Sequence, residues 1–555
     1  MSEKKLSEVP VCDYFKAEVG AGSNSEAFDS VAFASPMERT PTTTVESIPS
    51  IQHGDDSLHV TGAYEMDSSA TWNQIQPLVP EKREMWSAPA LSPESFFDTV
   101  FTSSETDVSG TNLENLEATS TAWIFPEHMI NILKQIASRT IVPDKELITT
   151  PRCLIEQPLL DPMAKVVQTH LGDDAMKRRM SMCPNHAQVT RDDRGLIQLI
   201  QRNCYHAAIN LTSDLLSMYG QGFSSDSQVM HCKHTQHSLQ LWFVRISLLM
   251  QLRMFSVAEK ELEGFMNFER PDLTQQWSPD LHRGRSGTLV PFSLRLLAAK
   301  LPAYNGNYVA SLNRLHGVLA VVEQIVSNLR NDFKEDGSGK SEYDHEVHQG
   351  ALLFWIIRLL KTKLTIVHVA RMCFDYDNAV SILESLIKNP DFYDTRCELQ
   401  SLLTRLHLDT GNVQEAIRCL EQSRLSEVPC NIGSSIESLQ FLMDSALLAV
   451  AQNNFVEAHT ILQKARNLYP KSPMVVNNLA VILIYLGQLG TATSNLEDSM
   501  HVNHETFLRD IAVFNLTSMY DLGSNHSTAK KRRLLDFVSQ MKGDAFRLSS
   551  LKLPV

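Results

Sequence analysis

Four short stretches of this 555-residue chain carry residue types that could do chemistry. The run GSGKS (337–341) has the glycines, lysine and serine that end a phosphate-binding loop, where backbone N–H groups and the lysine cradle a nucleotide's phosphates. That chemistry needs another glycine five positions before Gly339 and a strand leading in. Position 334 is Lys, and VVEQIVSNLRNDF (321–333) reads as helix, so a flexible linker is the better reading. The run HCKHTQH (231–237) gathers His231, Cys232, His234 and His237, all competent zinc ligands. A closed zinc site usually joins two separated ligand pairs, whereas this is one clump in a polar loop. HEVH (345–348) spaces its histidines three apart rather than the four of HExxH. KKRR (530–533) has the composition of a nuclear-import signal, but a solvated helix face is commoner. No Ser-His-Asp order and no carboxylate pair assembles. The expectation is a chain that is not an enzyme, with no metal and no cofactor.

Charge partition bounds the rest. Residues 1–150 contain 23 acidic and 9 basic side chains, a net of −14, leaving 41 of each sign in the other 405 residues. The same 150 residues hold 19 Ser, 15 Thr and 10 Pro. Such a stretch buries too little apolar surface to offset chain entropy and is expected to be a disordered acidic tail. A neutral body with an acidic tail argues against broad nucleic-acid binding, which wants a basic face. No apolar run approaches the roughly 18 residues of a membrane span; the longest, Leu479 to Leu486, breaks at Gly487. MSEKKLSEVP lacks an apolar signal core, Ser2 excludes myristoylation, and LKLPV offers no prenylation cysteine. Nine cysteines without a CxxC pair fit reduced thiols, and the expectation is a soluble cytoplasmic protein.

The elements that must position any function are helices. Almost nothing after residue 190 alternates at period two, while Leu239, Trp242, Phe243, Ile246, Leu249 and Met250 follow one helical stripe. Within the acidic tail, WIFPEHMINILKQI (123–136) has helical spacing and suggests a short docking helix. Self-similarity then appears. QNNFVEAHTILQKARNLYP (452–470) is followed by LGQLGTATSNLEDSMHVN (486–503), with Ala458 and Ala492 separated by 34, the period of a tetratricopeptide repeat. Phe455 matches Leu489, Leu462 matches Leu496, and Pro470 falls where such a repeat ends. TGNVQEAIRCLEQS (410–423) repeats the pattern on Gly411, Ala416 and Leu420; DYDNAVSILESLIKNP (375–390) does so on Tyr376, Ala379 and Leu383. Trp242, Phe255, Ala258 and Leu262 give a further copy, and NGNYVASLNRL (305–315) a weaker one with Ser311 in the small position. Partial copies stand near the ends at 205–216 and 513–523.

Close helix packing explains the pattern, because two antiparallel helices approach closely only where a small side chain faces a large one. One pair cannot hide its apolar stripe alone, but stacked pairs bury a continuous core. The fold expected is an all-α tetratricopeptide-repeat solenoid of about seven or eight regular and irregular helix pairs. The small positions run 208, 258, 311, 379, 416, 458, 492, and the wide gaps are filled by polar inserts at 218–237, 270–288 and 331–348. The expected division is a tail at 1–150, a linker at 151–189, a first block at 190–330, a polar insert at 331–348 and a second block at 349–555, hinged at that insert.

Several segments resemble a known family more closely than any repeat consensus requires. RDDRGLIQLI (191–200), SLQLWFVRISLL (238–249), GTLVPFSLRLLAAKL (287–301), NNLAVILIYLGQL (477–489) and VFNLTSMYDL (513–522), with QNNFVEAHTIL (452–462), resemble subunit 12 of the trafficking protein particle (TRAPP) tethering complexes. The resemblance covers roughly 150–555. It implies a non-catalytic scaffold subunit of TRAPP III, acting in endoplasmic-reticulum-to-Golgi vesicle transport and autophagy. Its implied partners are subunits 8, 11 and 13 and the small core, which performs exchange on a Rab-family GTPase, with peripheral association at the intermediate compartment and Golgi. The alternative is a generic repeat adaptor or co-chaperone gripping a partner's C-terminal carboxylate. Asn477 and Asn478 are placed to face such a partner, although the preceding repeat near Leu442 and Met443 offers no Lys or Arg.

Overall fold

A computed structural model describes residues 119–138, 148–223, 232, 234–277, 287–340, 345–427, 438–523 and 526–554. Of the expected tail, 1–118 and 139–147 lie outside the described residues, as do 224–231, 278–286 and 341–344 of the polar inserts. Three helices precede the repeats: α1 (Glu127–Ala137), α2 (Pro162–Leu171) and α3 (Asp173–Met182). The pairs then run α4 (Asp193–Gln201) with α5 (Tyr205–Ser217), and α6 (Gln236–Gln251) with α7 (Phe255–Glu263). Next come α8 (Phe292–Tyr304) with α9 (Tyr308–Arg330), and α10 (His345–Met372) with α11 (Tyr376–Lys388). α12 (Arg396–Asp409) pairs with α13 (Val413–Glu427), α14 (Leu439–Ala451) with α15 (Phe455–Leu468), and α16 (Pro473–Tyr485) with α17 (Leu489–Val502). A short α18 (His504–Phe507) leads into the last pair, α19 (Asp510–Gly523) with α20 (Ser527–Met541). Among the described residues β structure is limited to two isolated bridges, Thr274 with Thr288 and Phe333 with Lys340.

One turn design joins the two helices of seven successive pairs. Asn203, Arg253, Gly306, Phe374, Gly411, Asn453 and Gly487 all have left-handed backbone, with φ between 55° and 84°. The N–H of the next residue in each case donates back to the carbonyl five positions earlier, from Cys204 to Leu199 through Gln488 to Leu483, at 2.8–2.9 Å. This is the left-handed helix stop that satisfies otherwise orphaned terminal carbonyls. The same donor residue opens the second helix. Asn307, Asp375 and Asn454 cap it with their side chains, accepting from Ala310, Asn378 and Glu457. Five residues after each left-handed position stands a small residue: Ala208, Ala258, Ser311, Ala379, Ala416, Ala458 and Ala492, none with exposed surface. The turn therefore fixes where the second helix meets the first, and only a small side chain fits there. Ser311 keeps its hydroxyl satisfied by donating to the Ala299 carbonyl of α8 at 2.9 Å.

The cores lie along the stack. One gathers α4–α8, with Trp242 and Tyr205 inside; a middle one gathers α8–α12 around Trp355; the last runs from α14 to α20. Three expected boundaries change. Thr119 and Trp123 to Leu133 are not tail, because Trp123, Phe125, Met129 and Leu133 are buried in the middle core. Segment 151–189 is not a plain linker, because α2 and α3 bury Met163, Val166, Val167 and Ala175 in the last core. Nor does 331–348 hinge two blocks: α9 and α10 flank it and share one core, Leu315, Val322 and Leu329 packing with Ala351 and Trp355.

The chain also closes on itself. Buried Arg179 of α3 reaches the Asp161 carboxylate at 2.7 Å, the Ser539 carbonyl at 2.9 Å and the Lys542 carbonyl just past α20. Beyond α20, the buried Asp544 carboxylate accepts from the His206 and Ala207 amides at the start of α5, and Ala545 N–H donates to Asn203. A Cβ on Gly543 would lie 2.2 Å from the Asn203 oxygen, so only glycine permits this approach.

Candidate functional site

The residues that looked reactive take structural partners. His234 is buried, its Nε2 2.8 Å from Thr149 Oγ1 and 3.5 Å from Asp272, its Nδ1 3.3 Å from Gln221. His237 places Nδ1 2.8 Å from the Tyr219 hydroxyl and Nε2 2.9 Å from the Asp193 carboxylate. Cys232 Sγ donates to the Gly220 carbonyl, and His231 lies outside the described residues. The imidazoles thus point to separate partners, and among the described residues no His, Cys, Asp and Glu group of three is fit to hold a metal. The GSGK segment (337–340) folds as a turn after the long α9, with Lys334 N–H bonded to the Gly339 carbonyl at 2.8 Å. No strand leads into it. In HEVH, His348 is buried with Nε2 2.8 Å from the Leu329 carbonyl, while His345 is exposed. KKRR lies on α20; Lys531 is buried and bonds Asp521 at 2.8 Å, and its three neighbours are exposed.

The repeat positions sort by what they touch. Trp242 is fully buried, donates Nε1–H to Gln221 at 2.7 Å and meets Phe265 edge-on. Phe255, at the start of α7, stacks on Tyr304 at the end of α8 with centroids 4.9 Å apart; Phe455 and Tyr485 repeat this between α15 and α16 at 4.7 Å. These aromatic pairs join one repeat to the next. Leu383, Leu462 and Leu496 are buried; Leu262, Tyr376, Leu420 and Leu489 are partly so; Pro470 is exposed in the turn after α15. Gly411 is not a packing position. It is exposed, and nothing lies within 4 Å of where its Cβ would be, so it serves the left-handed turn alone.

Polar rungs tie the first helices of neighbouring pairs together. Arg371 of α10 meets Asp409 of α12 at 2.7 Å, Arg405 of α12 meets Asp444 of α14 at 2.7 Å, and Asn515 of α19 donates to Asn477 of α16 at 3.0 Å. Asn477 and Asn478 are buried and so do not face a partner, contrary to expectation. A carboxamide on a helix interior is tolerated because another polar group waits opposite. Burial raises the Asp409 carboxyl, against the opposing pull of Arg371. Inside the first block Arg245 and Glu261 form a two-pronged pair at 2.7 Å with neither side chain exposed. Arg245 adds bonds to Ile209, Thr212 and Ser213, and Glu261 accepts from the Leu154 amide.

Helix α10 shows why residues 119–125 had to be packed. Its first half, ALLFWIIRLL (351–360), is apolar on every face, and a helix of that kind must be covered all round. Arg358 lies 4.3–4.7 Å from the centres of Phe292, Phe354 and Trp355 and donates to the Ser120 carbonyl at 3.1 Å. Arg295 lies 4.2 Å from the Trp123 ring centre and donates to Thr288 and to the Phe268 carbonyl. Burial pushes both guanidinium groups down to about 9, and Arg295 adds to the effect on Arg358. The sequence signal for this docking was the helical spacing from Trp123 to Ile136; nothing marked the arginines that receive it.

Stacked hairpins, small residues at each crossing and polar rungs between first helices define a tetratricopeptide-type α-solenoid. Such a fold works through an extended surface. The chain is similar to proteins named trafficking protein particle complex subunit 12. It is 33% identical to the human protein of that name over 472 residues, which are 84% of this chain and 63% of the human one. To the mouse protein it is 32% identical over 503 residues, 90% of this chain and 61% of that one. It thus spans a little over three fifths of the length of these relatives. No protein-family profile matches the chain.

Proposed function

We propose that this chain is a non-catalytic scaffold subunit of a TRAPP complex, of the TRAPP III form, serving endoplasmic-reticulum-to-Golgi transport and autophagy. The observation that carries this reading is the identity of 32–33% to subunit 12 proteins over 84–90% of the chain. The solenoid suits it: eight stacked pairs offer many weak contacts along an extended surface, and partners 8, 11, 13 and the small core would be held that way. Exchange on the Rab-family GTPase belongs in this reading to the small core, and membrane association is peripheral. Among the described residues no helix is long and apolar enough to cross a membrane. The co-chaperone alternative loses ground, because Asn477 and Asn478 are buried against neighbouring helices.

Mass spectrometry of what co-purifies with the tagged full chain from cell lysate tests the proposal. Recovery of the large TRAPP III subunits is expected, and their loss with the stack-breaking Ala458→Glu. Chaperones without any TRAPP subunit would overturn it.

A further inference from the structure

Where the chain closes on itself, two thiols face each other. Cys183 caps the C-terminal end of α3, and Cys204 is the residue that closes α4 and opens α5. Their sulfurs are 3.4 Å apart and unbonded. A disulfide needs about 2.05 Å, so the two sulfurs have to approach by about 1.4 Å once the hydrogens leave. Both sides of this contact are anchored to the far end of the molecule. Arg179, one turn before Cys183, holds the carbonyls of Ser539 and Lys542; two and three residues after Cys204, the His206 and Ala207 amides hold Asp544.

We propose that Cys183 and Cys204 form a peroxide-sensitive dithiol site whose oxidation cross-links the seam of the closed solenoid. The two sulfurs divide the work. Cys183 is part-exposed and Cys204 fully buried, so the oxidant meets Cys183 first. Its sulfur attacks one peroxide oxygen, the O–O bond breaks, and a sulfenic acid and water are formed. The Cys204 sulfur then attacks the Cys183 sulfur, the S–O bond breaks, and the hydroxyl leaves as water with the thiol proton. Two electrons pass to the peroxide, and one thiol proton leaves in each water, that of Cys183 in the first and that of Cys204 in the second. The hydrogen bond to Cys183, with burial and Asp544, holds the Cys204 thiol well above its ordinary range, against the opposing pull of Arg179. That makes the second step the slow one and sets the site's threshold: brief exposure leaves the sulfenic acid, sustained exposure closes the bridge. A thiol reductant reopens it. The site is independent of which complex the chain joins.

The test is hydrogen peroxide on the reduced full chain, followed by alkylation in denaturant and peptide mapping. The expected result is a fall from nine to seven alkylatable thiols, with residues 183 and 204 in one linked peptide pair that a thiol reductant separates. Slower hydrogen exchange at His206 and Ala207 should accompany it. Cys183→Ser, at a part-exposed position, should abolish the linked pair and leave Cys204 unmodified. Cys204→Ser should leave a dimedone-trappable sulfenic acid on Cys183. Over-oxidation of Cys183 with Cys204 still free, a cross-link between other cysteines, or a Cys183→Ser chain that still loses two of its remaining thiols would each overturn the proposal.

Discussion

Glutamate in place of Ala458 puts the repeat register to its hardest trial. Ala458 lies five residues after the left-handed Asn453, has no exposed surface, and shares its core with Ala446, Ala449 and Leu462. Added volume at such a crossing costs about 1–3 kcal/mol. The new carboxyl finds no partner in an apolar core and answers by raising its pKa, at about 1.4 kcal/mol per unit. A rise of about two units adds roughly 3 kcal/mol, for a total of about 4–6. Ala458→Leu supplies volume without charge and isolates the second part. The gap between Glu and Leu variants should be about 3 kcal/mol at pH 7 and about 1 at pH 5. The sign follows from the folded carboxyl being protonated at pH 5 while the unfolded one, near 4.3, is still mostly ionised. Gln488→Glu, at an exposed cap, should stay within about 0.5 kcal/mol of the parent. Urea titration by helical circular dichroism, with hydrogen exchange over α14–α17, reads the difference, since stacked repeats need not unfold together. Equal midpoints for Ala458→Glu, Gln488→Glu and parent would refute the register, and a pH-independent gap would refute burial of the carboxyl.

Removing one partner of the buried Arg245–Glu261 pair should cost about 3–5 kcal/mol, while Arg245→Met with Glu261→Leu should cost less than the two single changes summed, as a double-mutant cycle would read. Trp123→Ala should free residues 119–125 and raise hydrogen exchange at the Thr288 amide, which donates to the Thr121 carbonyl at 2.8 Å; unchanged exchange there would deny the docking. Burial, with Lys300 and Arg371 acting the same way, holds His368 well below its ordinary value, so the folded state stays neutral while the unfolded chain takes a proton as pH falls below about 6.5. Stability should therefore be full above that pH and fall by about 1.4 kcal/mol per further unit for this group, and His368→Gln should flatten the slope of urea midpoint against pH. Asp544→Ala should leave the His206 and Ala207 amides unsatisfied at about 1–3 kcal/mol, with faster exchange in both α3 and α5. Loss of protection in α5 alone would mean that the seam does not bind the two ends together.

The hairpins were legible in the sequence because their geometry is local. Left-handed residue, cap and small residue recur within six positions, so even inserts that spoil the 34-residue period leave each pair readable. What failed to show was whatever depends on distant chain. Gly411 falls at a regular place in the repeat pattern, yet its role is a backbone angle and not a contact. Asn477 and Asn478 read as surface because they are polar; Asn477 is inside because Asn515 sits opposite, 38 positions away. Trp123 lies in a stretch whose average composition is that of unfolded chain, and only the aromatic and arginine side chains of α8 and α10 make its burial favourable. Average composition hides a short segment that fits a prepared groove.

The seam has the same cause and a larger consequence. A free solenoid end exposes the apolar face that the next repeat would cover, so each end needs a polar cap. Here the two ends supply each other's. Helices α2 and α3, ahead of the first pair, lie on α20; the chain after α20 caps α5 through Asp544. No period announces this, because each contact is made once. Gly543 is its one mark in the sequence, and after a helix a glycine reads as an ordinary stop until the Asn203 carbonyl is found against it. Closure also means that the outermost repeats are not the weakest by position, as they would be in an open stack. Their stability is tied to the bonds of Arg179 and Asp544, and a perturbation at either should loosen both ends of the array at once.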